Sequence, residues 1–113
     1  MPDQGEIVLI PIPFTDLSSQ KRRPVIVISN KTYNHKTLDI VVVAMTSDPT
    51  IVDFSITINS SDLDVGKLNR PGNVRVDKIF TLAQSLVIKT FGRVNSTMLN
   101  QICNKLQELI SKK

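Results

Sequence analysis

A mainly β chain closed by one C-terminal α-helix and curled into a small, strongly bent barrel is predicted by three features of the 113-residue sequence. Short runs of Val, Ile and Leu recur from the N-terminus to Phe91, and clusters of Pro, Gly, Asn, Asp and Ser separate them. Only after Asn95 does the apolar period change from strand-like alternation to spacings of three and four.

Residues 5–10 and 24–29 are nearly unbroken apolar runs, the pattern of strands covered on both faces. Between them Pro11, Pro13, Asp16, Ser18 and Ser19 resist regular pairing, so a polar loop ending in Lys21, Arg22 and Arg23 is expected. Pro24 pushes the backbone of Arg23 toward extended geometry and so sets the direction in which that guanidinium leaves the sheet. Residues 30–36 are polar and read as a turn. Residues 38–44 give the strongest buried-strand signal, ending at Met45, Thr46 and Ser47 before Asp48-Pro49. Residues 54–58 alternate apolar with polar, as an edge strand covered on one face does. Residues 59–72 are rich in Ser, Asp, Asn and Gly and read as a loop with a helical turn around Leu63. Residues 73–77 place Val74 and Val76 on one face and Arg75 and Asp77 on the other. At about 3.3 Å per residue those two polar residues lie about 6.6 Å apart, close enough for an ion pair or for one shared ligand. Residues 79–82 and 86–91 supply further strand before Gly92 interrupts it. Met98, Leu99, Ile102, Cys103, Leu106, Leu109 and Ile110 then trace the apolar stripe of a helix capped by Asn95, with Cys103 as a small buried hydrophobe.

A length of 113 residues and 41% hydrophobic content fit one domain over residues 1–113, burying roughly two thirds of its unfolded surface. No apolar stretch approaches the roughly 20 residues that cross a bilayer. The start, Met1-Pro2-Asp3-Gln4-Gly5, lacks the cationic and apolar segments of a secretory signal, so a soluble cytoplasmic protein without membrane partners is expected. Cys103 and His35 are the only residues of their types, which excludes an internal disulfide and a zinc-like cluster, so neither metal catalysis nor a cofactor is expected. A net charge of +4 favours polyanionic partners, and Lys21, Arg22, Arg23, Lys67, Arg70, Arg75, Lys78, Lys89 and Arg93 fall near strand ends or connections. An ordinary solvated face accounts for the same distribution.

Five segments in order, Gly5-Glu6-Ile7-Val8-Leu9, Arg23-Pro24-Val25-Ile26-Val27-Ile28, Thr46-Ser47, Val74-Arg75-Val76-Asp77 and Gly92-Arg93-Val94, together resemble the MazF/PemK/Kid toxins of bacterial toxin-antitoxin pairs. The resemblance covers nearly the whole chain. It implies an SH3-like barrel of the PemK/MazF/CcdB type, a homodimer, and a growth-inhibiting, metal-independent endoribonuclease that cuts single-stranded RNA at short motifs. A cognate antitoxin would block its RNA groove, and operator DNA would be reached through the antitoxin complex. By the same resemblance Arg23 and Thr46 are catalytic, Ser47 matches a serine beside that threonine in some members, and Arg75 and Asp77 match an Arg-x-Asp pair of the Kid-like branch. The chain departs from the pattern at Phe80, where many members carry arginine, and in lacking glycines before Arg23-Pro24. Both differences bear on RNA sequence preference rather than on the chemistry.

Cleavage without metal needs a deprotonated 2′-OH, stabilisation of the charge on the pentavalent phosphate and a proton for the leaving 5′ oxygen. Since His35 falls in a polar connection, that work falls to other groups. Asp77 can act as general base, kept ionised by Arg75. Arg23 can meet the phosphate through its donor fork, and Thr46 can donate to a phosphoryl oxygen. Lys21, Arg22, Ser47 and Lys78, with Phe14 stacking on a base, complete the expected RNA-contacting set. Each has a plainer reading: Arg75 and Asp77 as a surface ion pair, Thr46 and Ser47 as the close of a strand, and Phe14 as packing over the barrel mouth. Two other functions remain open. One is a non-catalytic toxin of the same barrel that poisons DNA gyrase by binding, although Ile110-Ser111-Lys112-Lys113 lacks the aromatic terminus of that mode. The other is a decayed toxin that retains only dimerisation and antitoxin binding.

Overall fold

The apolar runs become the central strands of a single antiparallel sheet. In the computed structural model, which describes residues 1–12 and 21–112, these are β1 (Glu6–Ile12), β2 (Lys21–Val27) and β3 (Asp39–Thr46). Around them lie β4 (Ser55–Ile58), β5 (Leu63–Val65), β6 (Gly72–Ala83) and β7 (Lys89–Val94), with helices α1 (Lys31–Lys36) and α2 (Ser96–Ile110). The strand order is β4-β6-β3-β2-β1-β7-β5, which places β4 at an edge as its alternation predicts.

The two faces of β1, β2 and β3 carry separate apolar clusters. On the inner face Ile7, Ile26 and Val43 stand in register across the three strands and join Met45, Ile58, Val74, Val76 and Val94, into which α2 docks Met98 and Ile102. A core drawn from so many strands requires the sheet to curl around it, and the result is the expected mainly β half-barrel with a C-terminal helix. On the outer face Val8, Ile10, Val25, Val27, Ile40 and Val42 form the second cluster, with Leu82 and Val87 packed against it. Each of these buried side chains contributes about 1.5–3 kcal/mol relative to exposure.

Irregularities shape the curl. Along β3 and β6 the register steps from Val43 opposite Ile79 to Ala44 opposite Arg75, so residues 76–78 form an extended bulge. Below it β6 pairs on both sides, Arg75 with Ala44 and with Ser55. A second bulge, at Phe91, separates the pairs Ile7–Gly92 and Val8–Thr90. Gly92 therefore does not interrupt the strand: it lies within β7, where a Cβ would stand 2.8 Å from the Val65 carbonyl oxygen, and the missing side chain admits β5.

Several sequence expectations need correcting. Lys21, Arg22 and Arg23 belong to β2, because β1 continues through Pro11 to Ile12 and pairs with them. Pro24 is tolerated there because β3 pairs with β2 only from Val25 onward, leaving no ladder bond for the missing N–H. Residues 31–36 are a helix: the Asn30 side chain accepts the Tyr33 N–H, and buried Asn34 donates to the Pro2 and Ser29 carbonyls. So short a helix depends on such anchors rather than on propensity. Leu38 precedes β3 and is 86% exposed. Ser60–Asp62 form a 3-10 turn that leads directly into β5, Leu86 ends a second such turn before β7, and Cys103 is half-buried.

Candidate functional site

Alternation along β2 places Arg23 on the same face as Val25 and Val27, at the point where the outer apolar cluster ends. Along β3 the same face runs Ile40, Val42, Ala44, Thr46, from bulky aliphatics to a methyl and then a hydroxyl. Ala44 lies opposite Val25 on one side and Arg75 on the other. The register therefore carries Arg23, Thr46 and Arg75, from three adjacent strands, to one region. There they line a depression of about 260 Å³ together with Ala44, Met45, Asp48, Thr50, Val52, Lys78 and Phe80. A shallower hollow shares Arg23, Met45 and Thr46 and adds Arg22, Pro24 and Ser47. The two together make a groove edged by four cationic side chains, Arg22, Arg23, Arg75 and Lys78.

Thr46 is held from its C-terminal side. Its Oγ1 accepts the Asp48 N–H at 3.1 Å, a bond that leaves the hydroxyl proton available to a ligand. The Asp48 carboxylate in turn accepts the Thr50 N–H at 2.9 Å, and bonding from the Thr50 backbone and side chain holds its pKa below the ordinary value. Asn73, 3% exposed, fastens this turn to β6: its side-chain amide donates to the Asp48 carbonyl at 2.8 Å and the Thr50 carbonyl at 3.3 Å. Next to it, Gly72 lets β6 close on Thr46, since a Cβ there would stand 2.5 Å from the Thr46 carbonyl oxygen. Replacing Asn73 by Ala strands both carbonyls, and we expect a loss of about 1–3 kcal/mol, read as an earlier urea midpoint. An unchanged midpoint would show that the turn holds itself.

Arg75 and Asp77 meet as the alternation of β6 predicts. The Arg75 Nε donates to Asp77 Oδ1 at 2.9 Å and Nη2 to Oδ2 at 2.8 Å. This fork holds the Asp77 carboxyl below its usual pKa and raises that of the guanidinium. Asp77 lines neither hollow, and it reaches the site through Arg75. Of the residues singled out in the sequence, the structure brings together Arg23, Thr46, Arg75 and Lys78, with Arg22 and Ser47 adjoining. Phe14 lies outside the described residues, as does the side chain of Lys21. His35 is exposed on α1. Among the described residues, no group of three or more His, Cys, Asp or Glu is placed to hold a metal ion, and no helix is long and apolar enough to cross a membrane. Sequence reading missed Asp48, Thr50 and Val52 as lining residues and marked Phe80 only as a departure from the family pattern; the turn signal of Asp48-Pro49 was the one available pointer to the first two.

Residues 3–110 match the family model of PemK-like, MazF-like toxins of type II toxin-antitoxin systems. The chain belongs to this family. No curated protein matches the sequence. Among solved structures, a mycobacterial endoribonuclease in complex with its cognate antitoxin superimposes with a TM-score of 0.80 at 21% identity, over 100% of both chains. MazF from Deinococcus radiodurans aligns with a TM-score of 0.76 at 24% identity, over 96% of each chain. A MazE-MazF complex from the same organism gives 0.79 at 23%, over 99% of this chain and 98% of the other. At these identities the superpositions establish a shared MazF fold.

Proposed function

We propose that this MazF-like toxin is an endoribonuclease that cleaves single-stranded RNA at a short motif, without metal, by attack of the 2′-OH on the adjacent phosphodiester. The observation that carries the reading is the convergence of Arg23, Thr46 and Arg75 on one groove. Two guanidiniums and a hydroxyl are donors suited to a phosphate whose charge grows toward the transition state. With its pKa raised by Asp77, Arg75 stabilises charge rather than giving up a proton. Asp77 lines neither hollow and both its carboxylate oxygens accept from Arg75, so its part is to stay ionised and aim that guanidinium.

Asp77 has a depressed pKa, so its ionised form persists from neutral pH downward and is lost only as the pH falls through that lowered value. Cleavage is therefore expected to show no acid limb from Asp77 above about pH 4, the ordinary aspartate value. A wild-type limb near pH 5 to 6 that vanishes in Asp77→Asn would contradict this. We further infer that the protein acts as a homodimer in the cytoplasm and that an acidic segment of a cognate antitoxin occupies the groove. Four cations along one groove favour an anionic chain.

The test is incubation with defined RNA in EDTA, followed by analysis of the product ends. Cutting that leaves a 2′,3′-cyclic phosphate, and that stops when the cleaved nucleotide is 2′-deoxy, is the expected result. Intact RNA, or cutting that survives the 2′-deoxy substitution, overturns the mechanism.

A further inference from the structure

Charge stabilisation at the groove does not account for the aromatic residue that lines it, Phe80. Among the described residues, Phe91 packs against the inner core and Phe54 and Tyr33 are half-buried, whereas Phe80 keeps 39% of its surface exposed beside the cations. Its backbone is well fixed. The β3–β6 ladder is regular from Asp39–Ala83 to Val43–Ile79, and Phe80 sits opposite Val42 within it. The bulge at residues 76–78 then brings Arg75 nearer to Phe80 than the sequence suggests. Arg75 lies opposite Ala44 and Phe80 opposite Val42, positions separated by only two residues of β3, about 6.6 Å. A guanidinium and an aromatic face, held on one strand at this separation, match the two parts of a nucleotide: the phosphate and the base.

We propose that Phe80 is a stacking platform for the nucleobase beside the phosphate held by Arg23 and Arg75, and so sets the register in which RNA enters the groove. The inference rests on the RNA-cleaving reading above. Because every base has a π-face, stacking selects position more strongly than identity. Phe80 thus chooses which phosphate meets the catalytic groups, while other contacts choose the sequence around it.

The chain contains no Trp and one Tyr, so Phe80→Trp introduces a single indole at the platform, excited selectively at wavelengths where tyrosine does not absorb. It would be titrated with a single-stranded oligonucleotide carrying 2′-deoxy at the cleaved position, and with versions made abasic at one position at a time. Quenching by the full oligonucleotide, lost for one abasic position, is expected. In parallel, Phe80→Ala and Phe80→Leu should each weaken binding of the full oligonucleotide by about 5- to 100-fold. The same substitutions should leave the affinity for that one abasic oligonucleotide unchanged. Circular dichroism checks that both variants fold. Leu binding as tightly as Phe would show that bulk rather than the ring matters, and would overturn the proposal. So would equal losses on every abasic oligonucleotide. Tight wild-type binding with unchanged affinity in Phe80→Ala rejects the platform alone, whereas no wild-type binding to any oligonucleotide rejects the RNA reading with it.

Discussion

Arg23→Ala is expected to lower the rate of RNA cleavage by about 10² to 10³, the loss that follows removal of one donor aimed at developing charge. The effect should fall on kcat more than on KM, because Arg22, Arg75 and Lys78 still edge the groove and hold the ground-state polyanion. Arg23→Lys should recover only part of the rate, since an ammonium keeps the charge but loses the planar fork that spans two phosphoryl oxygens. Single-turnover cleavage of a defined RNA checks both statements. A rate within a few-fold of wild type for Arg23→Ala would show that this guanidinium merely borders the site.

The largest expected effect on stability comes from the strand that carries Arg23. Ile26 is fully buried and stands in register between Ile7 and Val43, at the centre of the core that joins the sheet to α2. Truncation to Ala removes its transfer free energy and leaves a cavity that rigid strands on both sides cannot close, so a loss of about 2–5 kcal/mol is expected. Against a total of about 5–15 kcal/mol this would lower the thermal midpoint by roughly 10 °C or more. Calorimetry with urea unfolding measures it. A change below about 1 kcal/mol would mean that the curled sheet relaxes around the gap, contrary to the close-packed core described.

What could be read from the sequence was whatever depends on period alone. The double-sided burial of β1, β2 and β3 followed from unbroken apolar runs, and the facing of Arg75 and Asp77 followed from alternation. Features set by a partner distant in the chain did not follow. Pro24 foretold an extended Arg23, but not that β1 pairs with residues 21–23 and makes them strand rather than loop, which the prolines of the intervening segment conceal. Helix α1 exists because buried Asn34 reaches Pro2. The turn that orients Thr46 is tied to Asn73, 25 residues from Asp48, by an amide that in sequence looks like any polar residue at the start of a strand. The sequence marks Phe80 only as a departure from the family pattern, and it is the bulge beside Val43 that brings it to the groove next to Arg75.

The central claim is that side chains from β2, β3 and β6 grip a single phosphodiester. The most direct test is a crystal structure of the protein with a single-stranded oligonucleotide made uncleavable by 2′-deoxy at the scissile position. The account predicts one phosphate within hydrogen-bond distance of the Arg23 guanidinium, the Thr46 hydroxyl and the Arg75 guanidinium together. An oligonucleotide bound with its phosphates on another face, or with Arg23 and Thr46 contacting different nucleotides, would contradict it.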